Sequence, residues 1–599
     1  MKSLIKFCYI FPFVLLLYVP IARGQSQQEI DNLVAFSKAY GYVKYFHPST
    51  EGDQLDWGWF SVYGAQQIRE CEDDEALIQK LNSLFSPFAP TVHFVKTKVE
   101  IDSIRNEKSY LTKENEYRPV YWQHYGVSKD MINPSKLYRS VRANSVQEVD
   151  SAASFGGIST SITPPIFSQI PSINEPWVKE IKNNIWMYVP MVLFEKNQQT
   201  FPQGDLAIYD DEEQSKAPVT AASLDFRLGN LINTWNVFQH FYPYFKEIDV
   251  NWEAELKESL RDTYTSDESS HIKDLQELTA KLKDGHIQVT GPATSFSIPP
   301  ISWEWIEGKL VLTAVYNDST PLKLGDEIEQ IERSSPETYF NEIKKGISAG
   351  TEGWMNHRAA AESLFGPTGS VIEVTVDGEI FQLVRNVNYY QQLREEKLSK
   401  EQYRFMDNSI AYINLDNISV DTLKMIFPKL EQSSAIIADL RGYPNSNHQL
   451  IAHLLKTKED AKWMHVDQFI YPDQVDVVGH SELGWSMKPE KPYLGDKKII
   501  FLTDGQAISY AESYMGYIEA YDLGLIVGQP TAGTNGNINM FVLPGEYRIT
   551  FTGMRVTKHD NTQFHGIGIL PDVYVEKTME GIKTGKDEFL EKALEIAVQ

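Results

Sequence analysis

The clearest structural signal in the chain is an apolar run, a glycine-containing loop and a helical stripe in succession: Ile499-Ile500-Phe501-Leu502-Thr503-Asp504-Gly505-Gln506-Ala507-Ile508-Ser509-Tyr510-Ala511-Glu512. Its first five residues suit a strand that is buried on both faces. Apolar residues then recur at helical spacing, so a helix should begin close to Ser509. A second apolar run, 436–440, also precedes a glycine-containing loop. This alternation indicates an α/β layer, whose chemistry lies at the carboxyl ends of the strands.

Ser509 has two interpretations. Serine is a favoured N-cap and needs no catalytic reason to begin a helix. The free N–H groups and the positive dipole end of a helix also favour an alkoxide and an oxyanion, so a serine there can act as a nucleophile. The residue alone does not separate the two interpretations.

Four segments in order resemble the tail-specific, or C-terminal-processing, serine protease family. The family patterns DLRxNPGG, SASASE, VVGEPTFGKG and HGxGIxPD are matched in turn by segments 439–445, 507–512, 526–534 and 565–572. The resemblance covers about residues 225–599 and implies a multidomain α/β protein with a crotonase/ClpP-like serine protease core at 391–599. It aligns Ser509 with the nucleophile and implies an oxyanion hole made by the backbone N–H groups of Gly442 and Tyr510.

The resemblance implies histidine as the general base. Thr534 occupies the position of the family's usual lysine, and no lysine lies between Ser509 and Thr534. A tricorn-like branch of the family uses histidine instead, and Asp284-Gly285-His286 resembles its DGH segment. We expect Gly285 to end the preceding helix as a C′ residue, which leaves His286 in a loop.

The residue that orients His286 stays open at this point. The resemblance places an acidic residue near the closing motif, where this chain has His565, with Asp560 nearby. His565 is a possible third member of the catalytic group, and a structural role for it is the alternative.

A PDZ-like domain is expected at 294–390. Leu322-Lys323-Leu324-Gly325-Asp326-Glu327-Ile328 resembles the typical PDZ turn, and Asp377-Gly378 predicts a hairpin turn. A PDZ domain takes an extended peptide along a strand edge, which suits a polypeptide substrate. Any other small β-rich domain is the alternative.

The first part of the chain contains a partial repeat. An aromatic–proline step and a tryptophan recur 195 residues apart, at Phe46 and Phe241 and at Trp57 and Trp252. Each copy then runs into an amphipathic helical pattern. We therefore expect a helical element at 25–108 and a second one, carrying His286, at 221–293. A β-rich insert is expected between them at 109–220.

The composition and the N-terminal segment limit the classes of protein to which the chain can belong. The chain has 599 residues, 42% of them apolar, and suits a globular protein of several domains. Its net charge of −25 argues against nucleic-acid binding, and two cysteines exclude a disulfide scaffold. Residues 1–24 resemble a signal peptide, and no later stretch is apolar enough to span a membrane. The mature protein is expected to be periplasmic or extracellular.

The predicted function is that of an exported serine endopeptidase acting on proteins or peptides. The alternative is a catalytically inactive peptide-binding homologue, which Thr534 favours. A weaker alternative is carbohydrate or envelope binding by the aromatic-rich insert. No metal or organic cofactor is expected, since the HExxH and GxxxxGK[ST] motifs are absent. The oligomeric state does not follow from the sequence.

Overall fold

The computed structural model describes residues 26–107, 117–128, 131–132, 137–145, 162–209, 220–317 and 320–599. The expected signal peptide at 1–24 lies outside these ranges. None of the described helices is both long enough and apolar enough to cross a membrane.

The chain begins with a helical element, as predicted. Side chains of Ser26, Ser49, Asp56 and Asp73 cap its main helices by accepting backbone N–H groups. Its elements are α1 (Gln27–Phe46), α2 (Thr50–Gln54), α3 (Trp57–Arg69), α4 (Asp74–Phe85), β1 (His93–Val95) and α5 (Lys98–Glu107).

The insert is rich in strands, and these strands pair with other parts of the chain. Two of them pair with strands of the C-terminal region, and another pairs with β1. The insert is therefore built into the rest of the molecule. Its strands are β2 (Arg118–Tyr125), β3 (Met131–Ile132), β4 (Arg139–Ala143), β5 (Trp177–Lys182), β6 (Ile185–Val189), β7 (Leu193–Lys196) and β8 (Gln199–Phe201).

A second helical element repeats the order of the first and packs against it in one aromatic-rich core. The Tyr40 hydroxyl donates to the Trp57 carbonyl over 2.9 Å, and Trp235 Nε1 donates to the Trp252 carbonyl over 2.8 Å. These two hydrogen bonds lie 195 residues apart at both ends, which supports a duplication. The helices are α6 (Leu224–Phe241), α7 (Trp252–Thr263) and α8 (His271–Ala280).

The middle region has a hydrophobic core of its own and three small antiparallel sheets. The predicted hairpin is confirmed, because Val376 pairs with Glu379 across Asp377-Gly378, whose φ angles are 50° and 76°. The elements after β9 (Gln288–Thr290) are β10 (Ser297–Ile298), β11 (Ile301–Ile306), β12 (Lys309–Val315), β13 (Gln330–Ile331), α9 (Pro336–Lys344), α10 (Glu352–Glu362), β14 (Val371–Val376), β15 (Glu379–Val384), β16 (Val387–Asn388) and α11 (Tyr389–Ser399).

The C-terminal region contains the predicted α/β layer. Its elements are β17 (Tyr403–Met406), β18 (Ile410–Asn414), α12 (Val420–Leu430), β19 (Ala435–Asp439), β20 (Met464–Phe469), β21 (Val477–Leu483), β22 (Lys498–Thr503), α13 (Tyr510–Tyr521), β23 (Leu525–Gly528), β24 (Ile538–Leu543), β25 (Tyr547–Thr552), β26 (Arg555–Val556), β27 (Val573–Tyr574), α14 (Met579–Thr584) and α15 (Glu588–Val598).

Six strands form the central sheet in the order β17-β18-β19-β22-β23-β27, and every pair except β17–β18 is parallel. Helices cover both faces, with α12 and α13 on one side and α15 on the other. The two apolar runs identified in the sequence are the adjacent strands β19 and β22. Their carboxyl ends place Gly442 and Ser509 at the same edge of the sheet.

Two further sheets attach the other regions to this layer. One has the order β21-β20-β2-β7-β8, with β26 beside β20 and β4 beside β2. The other has the order β3-β24-β25-β9. Because β9 follows directly after His286 and pairs with β25, this second sheet holds the candidate base against the C-terminal region.

Candidate active site

Ser509 lies at the turn between β22 and α13 in an unusual backbone conformation. Its φ is 59° and its ψ is −112°, whereas the capping residues Ser26 and Ser335 have φ of −83° and −63°. A non-glycine residue held at such angles costs about 1–3 kcal/mol, so the surrounding structure must impose the conformation. A serine that only capped α13 would need no such strain. The same sharp strand-to-helix turn exposes the nucleophile in other hydrolase folds.

Glu512 imposes this conformation from within α13. One carboxylate oxygen accepts the Ser509 amide over 3.2 Å and the Thr534 amide over 3.0 Å. The other accepts the Gly533 amide over 2.7 Å and the Thr531 hydroxyl over 2.6 Å. The side chain is fully buried, and this burial raises the pKa of Glu512 to about 8, against the effect of the four hydrogen bonds. The glutamate thus fixes the serine turn to the loop after β23.

Thr534 connects the two candidate catalytic segments. Its carbonyl accepts the Ser509 amide over 3.0 Å, and its hydroxyl accepts the Gly285 amide over 2.9 Å. The position that the resemblance assigns to a lysine is therefore a buried structural link between the serine turn and the loop of His286.

The expected role of Gly285 is wrong. Helix α8 ends at Ala280, with Lys281 as its C-cap, and Lys283 has the positive φ in this stretch. Gly285 is required for another reason, because a Cβ there would lie 2.8 Å from both Thr534 Oγ1 and Trp354 Nε1. The Gly285 carbonyl accepts a hydrogen bond from Trp354 Nε1–H over 3.1 Å, so the middle region is also bonded to this loop.

His286 lies in a loop, as predicted, and belongs to a chain of polar groups that the sequence did not reveal. His286 Nδ1 lies 2.8 Å from Thr552 Oγ1, and the Thr552 hydroxyl donates to Asp284 over 2.7 Å. Asp284 also accepts the amides of Thr552 and His286, over 2.7 and 3.0 Å. All three residues are buried.

This arrangement selects one tautomer of His286. The Thr552 hydroxyl has one proton, which it gives to the Asp284 carboxylate, so it can only accept from the imidazole. Nδ1 therefore carries the proton, and Nε2 keeps the lone pair that a general base needs. Burial lowers the pKa of His286, and the Asp284 carboxylate opposes that effect.

His286 Nε2 is buried and has no hydrogen-bond partner among the described residues. It therefore makes no hydrogen bond with Ser509 in this conformation. Burial raises the pKa of the nearby Tyr443 hydroxyl, and the Ser509 side chain opposes that effect. Ser509 and the loop of His286 are thus both hydrogen-bonded to Thr534, but the side chains of Ser509 and His286 are not hydrogen-bonded to each other.

His565, the possible third member of the catalytic group, is not hydrogen-bonded to His286. Its ring stacks on Tyr244 at a centroid distance of 3.9 Å, and neither ring nitrogen has a partner in the described part of the chain. Burial lowers its pKa to about 4, so the ring is neutral near pH 7. Asp560 hydrogen-bonds Thr562 at the surface. The polar groups that contact the His286 side chain are instead Thr552 and, through it, Asp284.

The two predicted oxyanion donors are free. Within the described ranges, neither the Gly442 amide nor the Tyr510 amide has a hydrogen-bond acceptor. The Tyr443 ring packs against the Tyr510 ring at a centroid distance of 5.8 Å, so the loop after β19 lies over the start of α13. A Cβ on Gly442 would lie 1.9 Å from Asp416 Oδ2, so any other residue there would require the Asp416 side chain or the loop to shift.

A cavity of about 860 Å³ opens between the middle region and the same edge of the central sheet. Polar groups from both sides line it, among them Glu304, His357, Asp504 and Lys577. The segment Asp504–Gln506 on its wall runs directly into Ser509. Neither Ser509 nor His286 is among its lining residues.

Comparison with known proteins finds a family match within the C-terminal region. Residues 409–575 match the model of Peptidase family S41, while the curated proteins contain no match. Among solved structures, a mutant of CPAF is 12% identical with a TM-score of 0.50, over 62% of this chain and 96% of that one. That likeness shows the fold alone. The family match supports a serine-type peptidase, as predicted.

Two other solved structures are also similar. The photosystem II D1 C-terminal processing protease is 15% identical with a TM-score of 0.34, over 58% of this chain and 92% of that chain. The tricorn protease is 15% identical with a TM-score of 0.31, over 68% of this chain and 40% of that chain.

Proposed function

We propose that this peptidase is an exported endopeptidase in which Ser509 is the nucleophile and His286 is the general base. The observation that carries this proposal is the backbone of Ser509, which is held at φ 59° by the buried Glu512 carboxylate. Strain of this kind persists at functional sites, where the geometry it gives is part of the mechanism. Ordinary helix capping does not account for it.

The proposed reaction begins with proton transfer from Ser509 to His286. His286 Nε2 takes the proton of the Ser509 hydroxyl as Oγ forms a bond with the scissile carbonyl carbon. The carbonyl electron pair moves onto the oxygen, where the amides of Gly442 and Tyr510 donate hydrogen bonds. The imidazolium then gives the Nε2 proton to the leaving amine as the C–N bond breaks, and water repeats the sequence on the acyl-enzyme.

Asp284 and Thr552 are positioning residues in this scheme. They keep the proton on Nδ1 and stabilise the positive charge that His286 carries during the reaction. For the proton transfer, the Ser509 hydroxyl must come within hydrogen-bonding distance of His286 Nε2, which has no partner among the described residues.

The polypeptide substrate is proposed to lie in the cavity between the middle region and the sheet edge. The middle region, 294–390, is proposed to be a PDZ-like domain that captures or gates this polypeptide. Its helix α10 supports this view, because Trp354 and Arg358 donate to the carbonyls of Gly285 and Ile287 on either side of His286. Export rests on the signal-like residues 1–24.

Labelling with a fluorophosphonate probe tests the assignment. We expect labelling of the wild-type chain, none of Ser509→Ala, and strongly slowed labelling of His286→Ala. Ser335→Ala is the matched control, because Ser335 also stands at a helix start but has an ordinary φ of −63°. It should be labelled at the wild-type rate.

The inactive alternative predicts a different result. A chain that binds peptides but is never labelled would be a non-catalytic binding protein. Labelling that persists in Ser509→Ala would place the nucleophile elsewhere. N-terminal sequencing of protein from the periplasm or medium tests export separately, since an intact Met1 there would contradict a cleaved signal.

A further inference from the structure

Three metal-ligating side chains meet on strands β20 and β21, outside the site described above. His465, His480 and Glu482 each offer one ligand atom, and these atoms lie within 4.8 Å of one another. The cluster plays no part in the proposed peptidase mechanism, and no catalytic residue belongs to it.

The strand register explains the cluster. His465 stands opposite Glu482 in the antiparallel pair, so the two share one face of the sheet. His480 and Glu482 are two residues apart on β21 and point the same way. The expectation from sequence that the chain has no metal site overlooked this His480-Ser481-Glu482 spacing, and His465 is remote from it along the chain.

The burial and hydrogen bonding of these three side chains suit metal ligands. His465 is 6% exposed, and its buried Nδ1 has no hydrogen-bond partner in the described part of the chain. The two imidazole rings meet edge to face at a centroid distance of 4.9 Å. His480 Nε2 lies 3.2 Å from Glu482 Oε1, and these two side chains are more exposed and can move inward.

The neighbouring charges are mixed. Asp467 stands opposite His480 on β20, and Arg555 of β26 stands opposite His465 on the other side. The carboxylates of Glu482, Asp467 and the nearby Glu247 outnumber the cations of Arg555 and Lys246, so the face can accept a divalent cation.

We propose that His465, His480 and Glu482 bind a zinc-class divalent ion. Two imidazoles and a carboxylate form a ligand set typical of zinc with one position left for water. Zinc–ligand distances near 2.0–2.2 Å require the three donors to draw together by about an ångström, which the exposed His480 and Glu482 allow.

A bound ion would link the edge strand β21 to its neighbour β20. β21 is the outermost strand of its sheet, and the chain that follows it carries Trp485. Trp485 stacks on Tyr517 of α13 at a centroid distance of 5.5 Å and contacts Tyr510 at the same distance. Binding at β21 would therefore stiffen a wall of the serine turn.

Zinc titration of the full chain tests the proposal. The Ser509→Ala variant is used to avoid self-cleavage, and metal is first removed with EDTA. We expect one Zn²⁺ per chain by calorimetry and no heat from Mg²⁺ under the same conditions. His480→Ala and Glu482→Gln should each weaken Zn²⁺ binding by more than the 10–100-fold typical of losing an outer-shell partner.

Ser481→Ala is the matched control, since position 481 points to the opposite face of β21. It should bind Zn²⁺ like the parent, and His480→Cys should retain binding because a thiolate also ligates zinc. Thermal unfolding in EDTA checks that each variant is folded. A parent chain that binds no Zn²⁺, or folded His480→Ala and Glu482→Gln variants that bind it unchanged, would overturn the proposal.

Discussion

Thr552 Oγ1 lies 2.8 Å from His286 Nδ1 and thereby decides which nitrogen of the imidazole can act as a base. The Thr552 hydroxyl links the buried Asp284 carboxylate to the imidazole of His286. Asp284 itself is hydrogen-bonded to the backbone amide of His286 and not to its ring. A single threonine thus takes the place that a direct carboxylate partner has in the Ser-His-Asp arrangement.

Thr552→Val should lower kcat/KM by about 100-fold, because general-base catalysis contributes about 10²–10⁴-fold and depends on the tautomer. The change also leaves a buried hydrogen-bonding group unpaired, at a cost of about 1–3 kcal/mol in unfolding free energy. Steady-state kinetics and denaturant unfolding measure the two effects. Thr552→Ser keeps the hydroxyl and should restore most of the activity. Equal activity of the Val and Ser variants would show that the hydroxyl does not orient His286.

The sequence predicted the serine turn well and the orienting group poorly. β22, Ser509 and α13 follow from one local pattern of apolar residues, and local patterns determine helix starts. Asp284 and Thr552 are brought together only by the pairing of β9 with β25, across 268 residues. The pairing of β2 with β20 and the cluster on β20 and β21 are equally long-range. Side-chain alternation along a strand does not say which strand will be its partner.

The pH dependence of activity should report a base that is buried in its neutral form. Burial lowers the pKa of His286 below its ordinary value of about 6.5, Asp284 opposes this, and the adjacent His565 is neutral near pH 7. The acid limb of kcat/KM should therefore have its midpoint below pH 6.5. The folded state binds fewer protons than the unfolded one in this range, so the same group reduces stability as pH falls below 6.5.

A pH–rate profile between pH 4 and 8 checks this expectation. Asp284→Asn removes the carboxylate that raises the pKa of His286, so the midpoint in its residual activity should move further toward acid. A wild-type midpoint above 6.5 would contradict a neutral buried base.

Glu512→Gln should damage both stability and activity. The amide nitrogen of glutamine cannot accept hydrogen bonds, so two of the four donors around the carboxylate lose their acceptor. A loss of about 1–3 kcal/mol in unfolding free energy is expected, and the turn of Ser509 should relax. Chemical denaturation and probe labelling measure both outcomes.

Glu519→Gln is the control in the same helix. Glu519 forms a half-exposed ion pair with Lys558, which contributes about 0–1 kcal/mol. Burial raises the pKa of Glu512 to about 8, so this group contributes a loss of stability as pH rises from about 4.5 toward 8, and that contribution should be absent from the pH dependence of Glu512→Gln. Unchanged labelling in a destabilised Glu512→Gln chain would show that Glu512 does not hold Ser509 in its reactive geometry.

Gly442→Ala should disrupt the oxyanion site without affecting the base. The new Cβ would lie 1.9 Å from Asp416 Oδ2, so either the Asp416 side chain or the loop after β19 must move, and we expect the loop to carry its amide away from Ser509. Loss of one oxyanion donor lowers kcat by about 10²–10³-fold, with a smaller effect on substrate binding. The double variant Gly442→Ala/Asp416→Gly removes the obstructing carboxylate and should recover part of kcat. A Gly442→Ala chain with full kcat would contradict the expected displacement of this amide from the oxyanion site.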